Sequence, residues 1–197
     1  MKGEGVTFGC LNNFCKVSEA VLEVWSRILL AVPRSRLMLH APAGSARELV
    51  RSFMAARGVA ADRCRFVDLL PFDRYLQTYH EMDIGLDTFP YAVGTTTCDA
   101  LYMGVPVVTL AGRTGVGRSG VSLLSQLDLG KCVAETMEEY VQIAAGLAGD
   151  LERLAALRGG LRARMLNSRL MDGGAFARNF EAVLRGAWRR WCEKPSG

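Results

Sequence analysis

The sequence predicts an α/β protein built on a doubly wound parallel sheet, with a helical segment at the C-terminal end. Short apolar runs without polar alternation recur through the first half of the chain, as expected of strands that are buried on both faces. Amphipathic stretches separate these runs, and crossover helices between strands give right-handed parallel sheets. From about residue 119 onward the pattern is almost entirely helical. These observations together indicate a Rossmann-like fold.

The apolar runs predict five strands, at residues 6–10, 37–39, 65–67, 84–86 and 105–110. Apolar positions three and four residues apart predict the helices. The first is capped by Ser18 and ends at Pro33, one near residue 97 carries Asp99, and the others lie at about residues 46–57, 73–82, 121–127, 137–147, 151–165 and 176–191. Residues 128–133 leave room for a last edge strand. No internal repeat is evident, so residues 1–197 are interpreted as one domain.

Composition excludes several classes of protein. The 197 residues are 50% hydrophobic and 22% charged, with a net charge of +4, which does not favour a nucleic-acid partner. No apolar run reaches the roughly 18–20 residues that would predict a membrane span. The six cysteines form no C-x-x-C motif, and two histidines are too few for a metal site with them. We therefore expect a reduced, cytoplasmic protein with no metal, cofactor or membrane partner.

Two polar loops mark the candidate site. Ligands of open α/β sheets bind at the carboxyl ends of strands where the strand order reverses, and a 3-2-1-4-5 order brings together the loops after strands one and four. The first loop ends in Lys16, and the second contains Gly94 and leads into Thr95–Thr97 and Asp99. Glycine permits a tight turn and close approach of a ligand, while the threonine amides at a helix start suit an anion. Lys16 would balance the charge of a leaving diphosphate, and Asp99 would accept hydrogen bonds from ribose hydroxyls.

Structural explanations of the same residues remain open. A Gly-Thr-Thr-Thr run is also a helix cap, a single lysine is often only solvated, and the Asn12-Asn13 pair is also typical of a turn. Neither a G-x-G-x-x-G motif after the first strand nor a G-x-x-x-x-G-K-[ST] motif is present, which disfavours dinucleotide and P-loop nucleotide binding.

Three segments carry a family resemblance: Val6–Lys16 (VTFGCLNNFCK), Asp83–Tyr91 (DIGLDTFPY) and Gly94–Leu110 (GTTTCDALYMGVPVVTL). Together they resemble the C-terminal catalytic lobe of the O-GlcNAc transferase/SPINDLY family, a glycosyltransferase family 41-like lobe of bacterial type. The resemblance covers about residues 5–191. It implies a GT-B lobe that binds UDP-N-acetylglucosamine without a metal. The protein would then be an inverting protein O-linked N-acetylglucosaminyltransferase that acts on Ser and Thr hydroxyls.

The resemblance also implies residue roles. Lys16 would be the catalytic contact to the diphosphate, with Thr95 and Thr96 beside it. Asp99 would hold the ribose, and Asn13 would lie near the sugar-phosphate. The backbone around Leu70 would meet the base, and Tyr75 would stack on it.

The sequence departs from the family pattern in several respects, among them Ala92-Val93 in place of the more usual polar-glycine pair. Animal members of the family carry a lysine at the position of Phe72 and a histidine at that of Gly94, so other donors, such as GDP-fucose or UDP-glucose, remain open. The family's tetratricopeptide repeats and N-terminal catalytic lobe, with its active-site histidine, are expected outside these 197 residues. We therefore expect little activity from this chain alone, and a non-catalytic nucleotide-binding or protein-interaction module is the alternative.

Overall fold

A computed structural model describes residues 5–193 of the chain. The strands are β1 (Thr7–Cys10), β2 (Arg36–His40), β3 (Cys64–Val67), β4 (Ile84–Leu86), β5 (Val107–Leu110) and β6 (Val133–Ala134). They form one sheet in the order β3-β2-β1-β4-β5-β6, and every neighbouring pair is parallel. The predicted doubly wound sheet and its 3-2-1-4-5 order are confirmed, and the short edge strand β6 lies at the end of the predicted segment.

Eight helices connect and follow the strands in the described part of the chain. They are α1 (Glu19–Ala31), α2 (Ser45–Ala55), α3 (Phe72–Thr78), α4 (Thr95–Tyr102), α5 (Ser119–Ser125), α6 (Met137–Gly149), α7 (Leu151–Leu166) and α8 (Gly173–Cys192). The Ser18 side chain caps α1, as predicted, by accepting a hydrogen bond from the Val21 N–H. The predicted helical C-terminal segment is confirmed by α5 to α8.

Among the predicted boundaries that differ from the structure, two are explained by backbone hydrogen bonds. The helix predicted to reach residue 82 ends at Thr78, because a 3₁₀ turn follows and the Asp83 N–H already donates to Thr7 O in the sheet. The strand predicted from residue 105 begins at Val107, because the Val105 N–H closes the end of α4 on Ala100 O. Gly104 makes that closure with φ +78°, a left-handed conformation that glycine adopts without strain.

The core occupies both faces of the sheet. Leu37 and Leu39 of β2 belong to the larger hydrophobic cluster, which includes the buried face of α1 with Trp25. Met38, between them, belongs to a second cluster with Tyr79 and other residues around α3 and α4. This alternation places helices on both faces, as a doubly wound sheet requires. It leaves the carboxyl edge of the strands to be covered by loops.

Helix α8 differs from the other long helices because none of its residues is buried. Its apolar residues recur at helical spacing on one side and are all exposed: Phe176, Phe180, Val183, Leu184, Trp188 and Trp191. Across residues 5–193, every helix is too short or too polar to traverse a lipid bilayer.

Candidate functional site

The two predicted loops meet at the carboxyl edge of the sheet, because β1 and β4 are neighbours there. After β1, Asn13 caps a 3₁₀ turn that ends at Lys16, and its side-chain oxygen accepts from the Cys15 N–H at 3.2 Å. The buried Asn12 side chain reaches the other loop and donates to Thr88 Oγ1 at 3.2 Å. The Asn12-Asn13 pair therefore does more than form a turn, since one residue shapes the first loop and the other joins it to the second.

Lys16 lies against the loop between β4 and α4. Its Nζ is 4.4 Å from the centroid of the Tyr91 ring, a cation–π distance. Thr88 Oγ1 donates to Tyr91 O at 2.8 Å, so the same hydroxyl that meets Asn12 also fixes the backbone at Tyr91. The lysine thus has a defined place on the second loop and is not simply solvated.

Asp87 follows β4 directly and is only 2% exposed. Its Oδ1 accepts from the N–H groups of Thr88 at 2.8 Å and Val93 at 3.2 Å, and its Oδ2 accepts from the Thr109 hydroxyl at 2.7 Å. Burial raises the pKa of Asp87 to about 6, although these hydrogen bonds and the charge of Lys16 lower it. Sequence reasoning did not identify Asp87 as a functional residue. Its position after a buried strand at the point where the strand order reverses was the available signal.

The start of α4 presents backbone amides at this edge. The Cys98 N–H makes the first bond of the helix, to Gly94 O at 3.0 Å, so the amides of Thr95–Thr97 precede the intrahelical ladder. Thr95 is exposed and Thr96 is half-buried. The Thr97 side chain is instead buried, and its hydroxyl donates to Val93 O at 3.0 Å. Of Thr97, only the N–H therefore belongs to the predicted anion-binding helix start, because its hydroxyl is turned inward.

The structure separates the two roles predicted for Gly94. Its φ is −99°, so the turn does not require glycine. A Cβ built at Gly94 would have no described atom within 4 Å outside the neighbouring backbone. The feature that glycine provides is open space beside the threonine amides, which agrees with the predicted close approach of a ligand but not with the predicted tight turn.

Asp99, one turn into α4, is hydrogen-bonded to Tyr75, which in turn contacts Tyr79. The Tyr75 hydroxyl donates to Asp99 Oδ2 at 2.9 Å and lies 2.7 Å from the Tyr79 hydroxyl. Burial raises the pKa of the Tyr75 hydroxyl to about 12, which keeps it protonated as a donor. Tyr75 and Asp99 were predicted at separate parts of a nucleoside, and the structure brings their side chains into contact. Sequence reasoning did not identify Tyr79.

The segment before α3 supplies the rest of the predicted site. Leu70 is exposed, and Phe72 begins α3 with its ring also exposed. The Phe72 and Tyr75 rings stack at 6.2 Å between centroids with an interplanar angle of 27°. An aromatic surface therefore lies on the side of Tyr75 away from the core. Among residues 5–193, His, Cys, Asp and Glu side chains form no cluster of three arranged to hold a metal ion.

Comparison with known proteins identifies the family. The family model of glycosyl transferase family 41 matches residues 1–180. The chain belongs to glycosyltransferase family 41. The resemblance inferred from the three sequence segments is thus confirmed.

Family 41 relatives match over almost the whole chain. A probable UDP-N-acetylglucosamine–peptide N-acetylglucosaminyltransferase SPINDLY of Petunia hybrida is 46% identical over 192 residues, covering 95% of this chain and 21% of the relative. A UDP-N-acetylglucosamine–peptide N-acetylglucosaminyltransferase of Caenorhabditis elegans is 30% identical over 189 residues, covering 95% of this chain and 16% of the relative. The chain spans about a fifth of the length of these curated relatives.

Solved structures confirm the GT-B type of fold. A variant of the Thermobaculum terrenum O-GlcNAc transferase superposes with a TM-score of 0.93 at 39% identity, covering 98% of this chain and 38% of that one. The Anabaena protein Alr3699/HepE, solved in complex with UDP and glucose, has a TM-score of 0.64 at 12% identity, covering 91% of this chain and 49% of that one. The second likeness concerns the fold alone.

Proposed function

We propose that this family 41 chain is the donor-binding lobe of a protein O-linked N-acetylglucosaminyltransferase that uses UDP-N-acetylglucosamine. One observation carries the proposal: a lysine and a helix start rich in free amides lie at the ends of two adjacent parallel strands. The activities for which the Petunia and nematode relatives are named support the choice of donor and of a protein acceptor.

The chemistry of the lobe follows from its charges. When an acceptor Ser or Thr hydroxyl attacks the anomeric carbon from the face opposite the nucleotide, the bond between that carbon and the diphosphate oxygen breaks and the configuration inverts. The hydroxyl proton would pass to a base or water on the acceptor side, and the diphosphate leaves with additional negative charge. The ammonium of Lys16 and the amides of Thr95–Thr97 would stabilise that charge, and the dipole of α4 adds to the effect. These groups would serve the leaving diphosphate without a metal ion. Asn13, on the loop before Lys16, would contact the sugar-phosphate.

The nucleoside would lie across α3 and α4. Asp99 would accept hydrogen bonds from the ribose hydroxyls, because a carboxylate offers only acceptors. The base would pack on the exposed aromatic surface of Tyr75 and Phe72, with polar contacts from the backbone near Leu70. A lobe outside this chain would supply the acceptor side of the reaction.

Calorimetric titration of the 197-residue chain with nucleotides tests the proposal. We expect UDP and UDP-N-acetylglucosamine to bind, and Lys16→Ala to weaken UDP binding by roughly tenfold or more, since hydrogen bonds to charged groups contribute about 1.5–3 kcal/mol. Lys131→Ala is the matched control. Lys131 precedes β6 and therefore lies at the amino edge of the sheet, away from Lys16.

The titration also distinguishes the alternatives. Preferential binding of GDP and GDP-fucose, or of UDP-glucose, would change the donor and keep the site. Absence of binding by every nucleotide would favour a non-catalytic protein-interaction module. In the complete parent enzyme, loss of Lys16 should lower turnover by about 10²–10³-fold.

A further inference from the structure

Tyr79 occupies a place in the fold that the proposed chemistry does not use. It lies in the 3₁₀ turn after α3 and is 1% exposed, inside the smaller hydrophobic cluster. Its hydroxyl is 2.7 Å from the Tyr75 hydroxyl and 3.3 Å from Thr96 O. The Tyr75 hydroxyl is in turn 2.9 Å from Asp99 Oδ2. A buried side chain is therefore connected, through one intermediate, to the carboxylate assigned to the ribose.

Counting protons shows the direction of this chain of hydrogen bonds. The two tyrosines supply one hydroxyl proton each for these three contacts, and neither the Thr96 carbonyl nor the Asp99 carboxylate can donate. The Thr96 side chain is a further hydrogen-bond partner of Tyr75 and does not change this count. If Tyr79 donates to Tyr75, then Tyr75 donates to Asp99, and the contact of 3.3 Å to Thr96 O has no proton. The opposite direction would leave the charged carboxylate without its donor. Hydrogen bonds to ionised acceptors are the stronger ones, and the two shorter contacts belong to the first arrangement.

The two carboxylate oxygens of Asp99 differ in their hydrogen bonding. Tyr75 occupies Oδ2, and no described residue donates to Oδ1. Asp99 is only partly buried and lies at the start of α4, near the exposed Thr95. One carboxylate oxygen is thus held from the protein side, and the other remains available at the edge of the sheet.

We propose that Tyr79 is a positioning residue, which acts through Tyr75 to orient Asp99 toward the ribose diol of a nucleoside diphosphate. This inference rests on the proposed function, because it needs a ribonucleotide at the site. It does not depend on which base the nucleotide carries. Tyr79 touches no substrate, so its effect is to fix the direction and proton order of the two groups in front of it.

The test compares two ligands that differ only in the ribose. Tyr79→Phe removes one hydroxyl and keeps the ring that packs in the cluster. We expect this variant to bind UDP roughly threefold to tenfold more weakly than the unmodified chain, the range for one hydrogen bond. Binding of 2′,3′-dideoxy-UDP, which lacks the diol, should be the same for both proteins. If GDP is the better ligand, GDP and its dideoxy form replace the uridine pair.

Tyr102→Phe is the control variant. Tyr102 ends α4, and its ring lies 4.3 Å from the guanidinium carbon of Arg162 in α7. The control therefore loses a hydroxyl from the same helix, but from a ring that contacts α7 and is not part of the Tyr79–Tyr75–Asp99 chain of hydrogen bonds. It should bind both ligands as the unmodified chain does. If Tyr79→Phe does not fold, Tyr75→Phe removes the donor to Asp99 directly and should show the same dependence on the diol.

Three results would overturn the inference. An unchanged affinity of Tyr79→Phe for UDP would show that the hydroxyl does not act on the site. Equal weakening for UDP and its dideoxy form would show a general structural role. Failure of the unmodified chain to bind any nucleotide would remove the proposed function and the inference together, and that result is distinguishable because it does not involve the variant.

Discussion

Asp87 shapes the site without facing a ligand. Its carboxylate holds the N–H groups of Thr88 and Val93, which lie at the two ends of the loop that carries Tyr91. Because Tyr91 contacts Lys16, the path of this loop also determines where the ammonium lies. The buried carboxylate therefore acts on the proposed diphosphate site through the backbone.

Asp87 gives the protein a pH-dependent stability that can be measured. Burial raises the pKa of Asp87 from 3.8 to about 6, so between these values the native state binds a proton that the unfolded chain has released. The free energy of unfolding should consequently fall as pH rises from about 4 to about 6, by about 2–3 kcal/mol in total, since one pKa unit corresponds to about 1.4 kcal/mol. Above pH 6 this contribution should be constant.

Asp87→Asn isolates this contribution from those of other titrating groups. The variant keeps an oxygen for the two N–H donors and does not titrate. Urea unfolding of both proteins at several pH values should give a difference that changes between pH 4 and 6 in the stated direction. Parallel curves for the two proteins would contradict the assignment.

At the residue scale, the sequence predicts the groups placed by topology and misses those placed by packing. Lys16 and Asp99 follow from the strand order, because loops after adjacent parallel strands must meet. The roles of Asp87 and Tyr79 depend on residues elsewhere in the chain, on Thr109 for Asp87 and on Asp99, through Tyr75, for Tyr79. The position of Asp87 after β4 indicates where it lies but does not report these contacts. The roles of Asn13, Leu70 and the threonines toward a ligand stay predictions.

At the scale of elements, a glycine near the start of α5 allows this helix to pack close to the site. A Cβ built at Gly120 would lie 2.3 Å from Thr109 Oγ1 and 2.9 Å from Asp87 Oδ2. Real Cβ atoms do not approach other atoms this closely, so a side chain would push α5 away from β5. The hydrogen bond between Thr109 and Asp87 lies directly beneath this contact.

Gly120→Ala should therefore destabilise the protein by about 1–3 kcal/mol, the usual effect of an extra methyl in a packed interior. It should also weaken nucleotide binding, because it disturbs Asp87. Gly146→Ala is the control. Gly146 lies inside α6, and a Cβ there meets nothing within 4 Å. Alanine should instead stabilise that helix by up to about 1 kcal/mol. Urea unfolding measures both changes, and equal effects would refute the role of Gly120.

Elements are predicted well where apolar periodicity coincides with a residue that marks an end of the element. Helix α1 has both, with a serine cap and an apolar stripe that becomes its buried face. The end of α3 and the start of β5 were misplaced because both are determined by hydrogen bonds to other segments or by helix closure. Apolar residues continue through these boundaries, so periodicity alone does not mark them.

At the scale of the whole molecule, the last two helices make unequal contributions. Helix α7 packs on α4 and α6 and buries Leu154, Leu161 and Met165. Arg158 from the same helix donates to Met82 O at 2.5 Å and Asp83 O at 2.8 Å, at the amino end of β4. Helix α8 buries none of its residues. Helix α7 is therefore the last element that contributes substantially to the free energy of unfolding of the lobe.

Two truncations test this division. A chain that ends at Asp172 lacks α8 and should keep its free energy of unfolding within about 1 kcal/mol, because exposed residues contribute little. A chain that ends at Asp150 also lacks α7. It loses three buried apolar side chains, each contributing about 2 kcal/mol, which is comparable with the whole stability of a typical domain. Chemical unfolding should show a cooperative transition for the first chain and none for the second.

The contacts of α7, including those of Arg158, can form only after most of the chain has been translated. The two carbonyls that Arg158 binds precede it by about 75 residues, and α7 ends only at Leu166. A nascent chain on the ribosome therefore lacks the helix that covers the outer side of α4 until nearly all of the lobe has been translated. Until then apolar surface around α4 stays exposed, and such surface makes incomplete folding intermediates prone to aggregation and dependent on chaperones.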